Sequence, residues 1–97
     1  MSAPDMARAV AATRFRALGD ETRIRLLELL REGECTVAEL MDATGLGQSL
    51  VSHHLRVLRY AGLVTSRRDG RWSRYSVAEN PLAATRLFLW ELIPSGI

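Results

Sequence analysis

This chain has no lysine, one cysteine and no long apolar run, and each absence excludes something. A lone Cys35 cannot close an internal disulfide, which agrees with a reducing compartment. No apolar stretch approaches the ~18 residues of a membrane span, and Met1 to Val10 has neither a basic start nor an apolar signal core. A cytoplasmic location with no membrane partner is therefore expected. Without lysine, all thirteen basic side chains are guanidinium groups, each able to grip phosphate through two parallel hydrogen bonds. Internal repeats and low-complexity segments are absent too. Ninety-seven residues allow a single domain, 1–97, whose one core buries roughly two thirds of the surface exposed by the unfolded chain.

The formal charge of +2 is unevenly divided. Residues 1–46 carry six arginines against eight acids, residues 47–76 carry six against Asp69 alone, and residues 77–97 come to −1. A polyanion should meet the middle of the chain, leaving the two ends to pack with something else.

Within that middle third, Val51, Leu55 and Leu58 recur at helical spacing and make one apolar stripe. Gln48, Ser49, Ser52, His53, Arg56 and Arg59 occupy the remaining surface, with no carboxylate among them. Amide, hydroxyl, imidazole and guanidinium groups on one helical face can bond to base edges and phosphates in a major groove. The pattern predicts a DNA recognition helix. Gln48 could pair with adenine through two hydrogen bonds, and His53 could donate to guanine or to phosphate. His54 turns back toward the apolar stripe and reads as a hydrogen-bonded packing residue.

Helices are expected over 5–18, from about Glu21 to Arg31, and over 37–44. Gly19 stops the first and Asp20 caps the second, whose Ile24, Leu26, Leu27, Leu29 and Leu30 suggest burial on more than one side. Thr36 and Glu39 have capping-box spacing, and Gly45 to Gly47 then makes the turn into the polar-faced helix. Together 37–61 reads as a helix-turn-helix. After Gly62 the pattern alternates over Leu63–Arg68 and Arg71–Val77, with Asp69-Gly70 as the expected hairpin turn. Residues 63–77 thus form a wing, with Arg67, Arg68, Arg71 and Arg74 near its tip as DNA contacts and Trp72 as a packing residue. Asn80-Pro81 reads as the cap and first position of a last helix, 80–93, which is apolar nearly all round. One domain cannot bury both sides of it. Met6 and Val10 with Leu82, Leu89, Trp90 and Ile93 are expected at a two-fold dimer interface, Phe88 and Trp90 in its core. The fold class is mainly α with a small β-hairpin (α+β), in the order of four helices, two strands and a fifth helix, as a dimer.

With these residues in view, the chain resembles the ArsR/SmtB family of winged helix-turn-helix transcriptional repressors. The likeness runs through ALGDETRIRLLELL at 17–30, TVAELMDATGLGQSLVSHHLRVLRYAGLV at 36–64 and RRDGRWSRYSV at 67–77. It implies a homodimer joined through the first and last helices, two recognition helices in successive major grooves of a near-palindromic operator, and release when an effector binds. It also implies base contacts from Gln48, Ser49, Ser52 and His53. Gly47 stands where the family usually has serine, so one side-chain cap is missing.

Many members of that family bind metal through a Cys-x-Cys pair whose places are held here by Thr36 and Ala38, with Cys35 one residue off the pattern. A second family site uses Asp and His on the last helix, which here offers Glu91 and no histidine. Adjacent His53 and His54 point about 100° apart on a helix and cannot chelate one ion together. No cofactor and no metal effector is expected, and the effector stays unidentified. Cys35 remains a candidate redox site, against the commoner role of a small buried side chain. Catalysis is not expected, because no acid is placed to orient His53 toward Ser49 and a groove-facing helix supplies no water-excluding cleft. The alternative is a winged-helix protein interaction module without specific DNA binding.

Overall fold

Capping side chains fix where the first three helices begin. In the computed structural model, which describes residues 1–95, α1 spans Ala3–Leu18, α2 Glu21–Arg31 and α3 Val37–Thr44. α1 starts two residues earlier than expected, because Ser2 and Asp5 form a capping box that satisfies two otherwise free backbone N–H groups. Asp20 accepts from the Arg23 amide at 3.1 Å at the head of α2. Thr36 and Glu39 cap α3 reciprocally, at 3.2 and 2.9 Å. The turn that follows needs a left-handed residue, and Gly45 supplies it at φ 74°, its N–H donating to the Met41 carbonyl at 2.8 Å. α4 then runs Gln48–Tyr60 from an N-cap, Gly47, that offers no side-chain bond.

The sheet departs from expectation in two ways. It has three strands, not two: β1 Cys35–Thr36, β2 Val64–Asp69 and β3 Trp72–Val77, all antiparallel in the order β1-β3-β2. The hairpin turn is also displaced by one residue. Asp69 pairs with Trp72, so the two loop residues are Gly70 and Arg71, and Gly70 alone takes a positive φ, 62°. A type I′ turn would require positive φ at both central positions, whereas glycine first is the II′ pattern, which leaves Arg71 unstrained at the tip.

The core gathers Leu26 from α2, Leu40 from α3, Val51, Leu55 and Leu58 from α4, and Leu63 and Val64 at the start of the hairpin. On β3, Tyr75 and Val77 pack against it from the face they share. α2 is less enclosed than its composition suggested. Leu26 and Leu30 are buried and Leu27 and Leu29 are half-buried, but Ile24 is exposed beside an open cleft against β3 and α5.

α5 spans Glu79–Glu91, two residues short of the expected end, and its N-cap is Ala78. The predicted Asn80 cap is overridden by the sheet. The Ala78 amide donates to the Leu63 carbonyl at 2.9 Å, which carries the chain straight from β3 into the helix. Pro81 becomes the third helical residue, where its missing N–H is one of the four that lack an intrahelical partner anyway. Among the described residues no helix is long and apolar enough to cross a membrane.

Candidate nucleic-acid interface

α4 rests on the core through Val51, His54, Leu55 and Leu58, so its outer face is fixed by packing. Gln48, Ser49, His53, Arg56 and Arg59 are exposed on that face and Ser52 is half-buried. The helix starts without an acidic residue, leaving its free amides and positive dipole end beside Gln48 and Ser49. His54, 8% exposed, is held from the other side: Arg23 Nη1 lies 3.2 Å from its Nδ1. Because guanidinium only donates, Nδ1 is the acceptor and the imidazole is neutral, carrying its proton on Nε2. Burial pushes the His54 pKa down, and Arg23 and His53 add to that, against the opposing pull of Asp20 at 3.8 Å.

The four wing arginines divide into two pairs. Arg67 and Arg74 are opposite each other across the β2–β3 ladder and both are committed to carboxylates. Arg67 grips Glu34 with Nε at 3.2 Å and with Nη2 as well. Arg74 Nε donates to Asp69 at 2.8 Å, with Glu39 3.9 Å from its Nη1. These bonds lower the pKa values of Glu34 and Asp69 and raise those of Arg67 and Arg74. Arg68 and Arg71 have no carboxylate partner among the described residues, and Arg71 sits over the Trp72 ring at 5.2 Å. The tip therefore presents two uncommitted cations, not four. Sequence spacing could not reveal this, since Glu34 lies 33 residues from Arg67.

At the ends of the chain, Met6, Val10, Leu89, Trp90 and Ile93 are exposed, Trp90 by 68%. Two residues assigned to a subunit seam also make contacts within the chain. Leu82 packs against the core, and the Phe88 ring meets Phe15 of α1 with centroids 6.3 Å apart. Thr36 and Ala38 stand at the head of α3, where Thr36 serves as its cap. The Cys35 thiol donates to the Gly33 carbonyl at 3.6 Å, and burial, reinforced by the Glu39 carboxylate, raises its pKa. A thiol held protonated in this way is poorly suited to react with an oxidant.

Residues 20–66 match the family described as "Bacterial regulatory protein, arsR family". The chain is 46% identical over 69 residues to a "Probable mercury resistance operon repressor" of Streptomyces lividans, covering 71% of this chain and 55% of that one. It thus spans little more than half of that relative's length. An "Uncharacterized HTH-type transcriptional regulator" of Methanocaldococcus jannaschii is 39% identical over 71 residues, 72% of this chain and 80% of that one. In three dimensions the chain is similar to a "homodimeric winged helix-turn-helix DNA-binding domain" from Mycobacterium bovis, with a TM-score of 0.80, 28% identity, and coverage of 95% of this chain and 86% of that one. With a polar helix footed on the core, a two-stranded wing in a three-stranded sheet and this span of identity, the chain belongs to the ArsR family of bacterial regulatory proteins.

Proposed function

We propose that two copies of this chain join through residues 5–18 and 80–93 and bind a near-palindromic operator in the cytoplasm as a transcriptional repressor. One observation carries this reading: the exposed, acid-free face of α4, held rigid by four buried side chains beneath it. Within 37–61, Gln48, Ser49, Ser52 and His53 read base edges while Arg56 and Arg59 take phosphates. Within 63–77, Arg68 and Arg71 reach the backbone, and Arg67 and Arg74 brace the wing against Glu34 and Asp69. Release from the operator is assigned to an effector that is neither a resident cofactor nor a metal at the Thr36/Ala38 position, with Cys35 kept protonated. A helix face aimed at a groove leaves no enclosed centre for catalysis, so the chain acts by binding alone.

The test is to enrich duplexes from a random pool with the wild-type protein. Half-sites centred about 10 bp or a multiple apart are expected; enrichment of single, unpaired half-sites would contradict the dimeric reading. Gln48→Ala should then lose about 1–3 kcal/mol of discrimination between the enriched and a scrambled duplex. Arg71→Ala should weaken both duplexes alike and lower the salt slope by about one. Equal losses on both duplexes for Gln48→Ala would reject base readout by α4.

A further inference from the structure

A cleft of about 530 Å³ lies where α1 and α2 meet the side of α4, lined by Thr13, Arg16, Arg23, His53, Arg56 and Tyr60 with no carboxylate. The contrast with the cleft between α2, β3 and α5 is sharp, since Glu28, Glu34 and Glu79 stand there beside Arg31. His53, Arg56 and Tyr60 follow one another at helical spacing in continuation of Ser49, so the cleft is the flank of the outer face of α4.

Its wall is rigid and its cations are available. Arg23 Nε donates to the Ala17 carbonyl at 2.7 Å and Nη2 to the Arg16 carbonyl at 3.2 Å, which ties the last turn of α1 to α2 and, through His54, to α4. Arg16 is exposed and its Nη2 donates to the Thr13 hydroxyl at 3.3 Å. Neither Arg16 nor Arg56 has a carboxylate within 4.0 Å among the described residues. Tyr60 is 87% exposed, leaving its hydroxyl open to solvent. Guanidinium, hydroxyl and imidazole donors around an acid-free hollow suit an oxyanion with several acceptor oxygens.

We infer that this cleft seats a phosphodiester of the DNA strand flanking the half-site, held by Arg16 and Arg56 with the Tyr60 hydroxyl beside them. The inference rests on the DNA-binding reading above and extends the interface to α1, a helix that the sequence pattern gave to dimerisation alone. Charge complementarity and continuity with the face of α4 favour DNA backbone over a soluble anion. Since α1 then touches both the subunit seam and the operator, a change in how the subunits meet would move a phosphate contact directly.

The test uses the enriched and scrambled duplexes at several salt concentrations. Arg16→Ala should weaken both about 5- to 10-fold and lower the salt slope by about one, while leaving the preference between them intact. Tyr60→Phe, which deletes only the hydroxyl, should weaken both about 2- to 3-fold. Replacing single phosphates by neutral methylphosphonates should reveal one flanking position that weakens the wild type and leaves Arg16→Ala unaffected. Unchanged affinity and slope for Arg16→Ala, with Gln48→Ala still losing discrimination, would overturn this contact and spare the general reading. Protection of Arg16 by millimolar inorganic phosphate with no effect of Arg16→Ala on DNA would likewise overturn it, in favour of a soluble anion. A wild type with no affinity for any duplex would remove both.

Discussion

α4 and α5 have the same length, thirteen residues, and neither begins with a side-chain cap, yet they are completed in opposite ways. α4 sinks Val51, His54, Leu55 and Leu58 into its own chain's core and turns a polar face outward. α5 buries Thr85 alone, its hydroxyl turned back onto the Pro81 carbonyl at 2.8 Å, while Leu87, Leu89, Trp90 and Leu92 stand in solvent. One helix is finished by its own chain, whereas the other keeps an apolar face that its own chain leaves uncovered. Under the proposed function, this distribution assigns α4 to the operator and α5 to a second copy.

The largest effects should come from exchanging those roles. Leu55→Ala removes a fully buried side chain beneath the outer face of α4 and should cost about 2–5 kcal/mol of stability, read from denaturant unfolding. A loss below about 1 kcal/mol would mean that α4 does not depend on the core as described. Trp90→Ala should leave each subunit folded but weaken the pair by about 2 kcal/mol or more, as expected for a central interfacial tryptophan. Sedimentation at micromolar concentration should then show the monomer mass. An unchanged dimer mass, or lost cooperativity in unfolding of the subunit, would erase the distinction between the two helices.

How much of this was legible in the sequence follows from how local each signal is. The caps at Asp20 and Thr36, the turn at Gly45 and the stripe of Val51, Leu55 and Leu58 are set within a few residues, and each stands where the sequence placed it. β1 is two residues long and exists only because Cys35 and Thr36 meet Tyr75 and Arg74, so no periodicity could announce it. The same holds for the pairing of Arg67 with Glu34, which removes one of the four wing arginines from the free charge at the tip. Asn80-Pro81 was a sound local signal that lost to the Ala78–Leu63 bond, a sheet interaction. The Arg16–Arg56–Tyr60 cleft joins residues about forty positions apart, and only the folded chain brings them together. The burial of His54 was visible as its place on the stripe, but its partner Arg23 was not.

Burial, with Arg23 adding to it, makes α4 sensitive to acid in a way α5, which has no histidine, is not. The His54 pKa is lowered in the folded chain, so below its ordinary value of about 6.5 the unfolded chain binds more protons than the native one. Stability should therefore be fully present above about pH 6.5 and fall as the pH drops toward 5. In that window Asp20, Glu34, Glu39 and Asp69 remain ionised, because hydrogen bonds and nearby arginines hold their pKa values low. His54→Gln keeps an acceptor for Arg23 but cannot titrate, and should flatten the pH dependence of unfolding between 5 and 6.5. A slope that survives His54→Gln would place the acid sensitivity elsewhere.

The smallest effect concerns a respect in which the two helices agree, their uncapped starts. Gly47 has φ −76° and ψ 163°, nearly the angles of the caps that work at Ser2 and Thr36, whereas Ala78 sits at ψ 96°. A Cβ added at Gly47 meets nothing within 4 Å, so Gly47→Ser can accept a free amide of the first turn without strain. The gain should be a few tenths of a kcal/mol, a rise in melting temperature of about 1–3 °C. Serine at position 78 should give less, because the backbone there does not aim the hydroxyl at the first turn and its own amide is already committed to Leu63. Equal gains at the two positions would show that backbone angle at the cap is not what separates them, and that α4 gains nothing special from a start already shaped for serine.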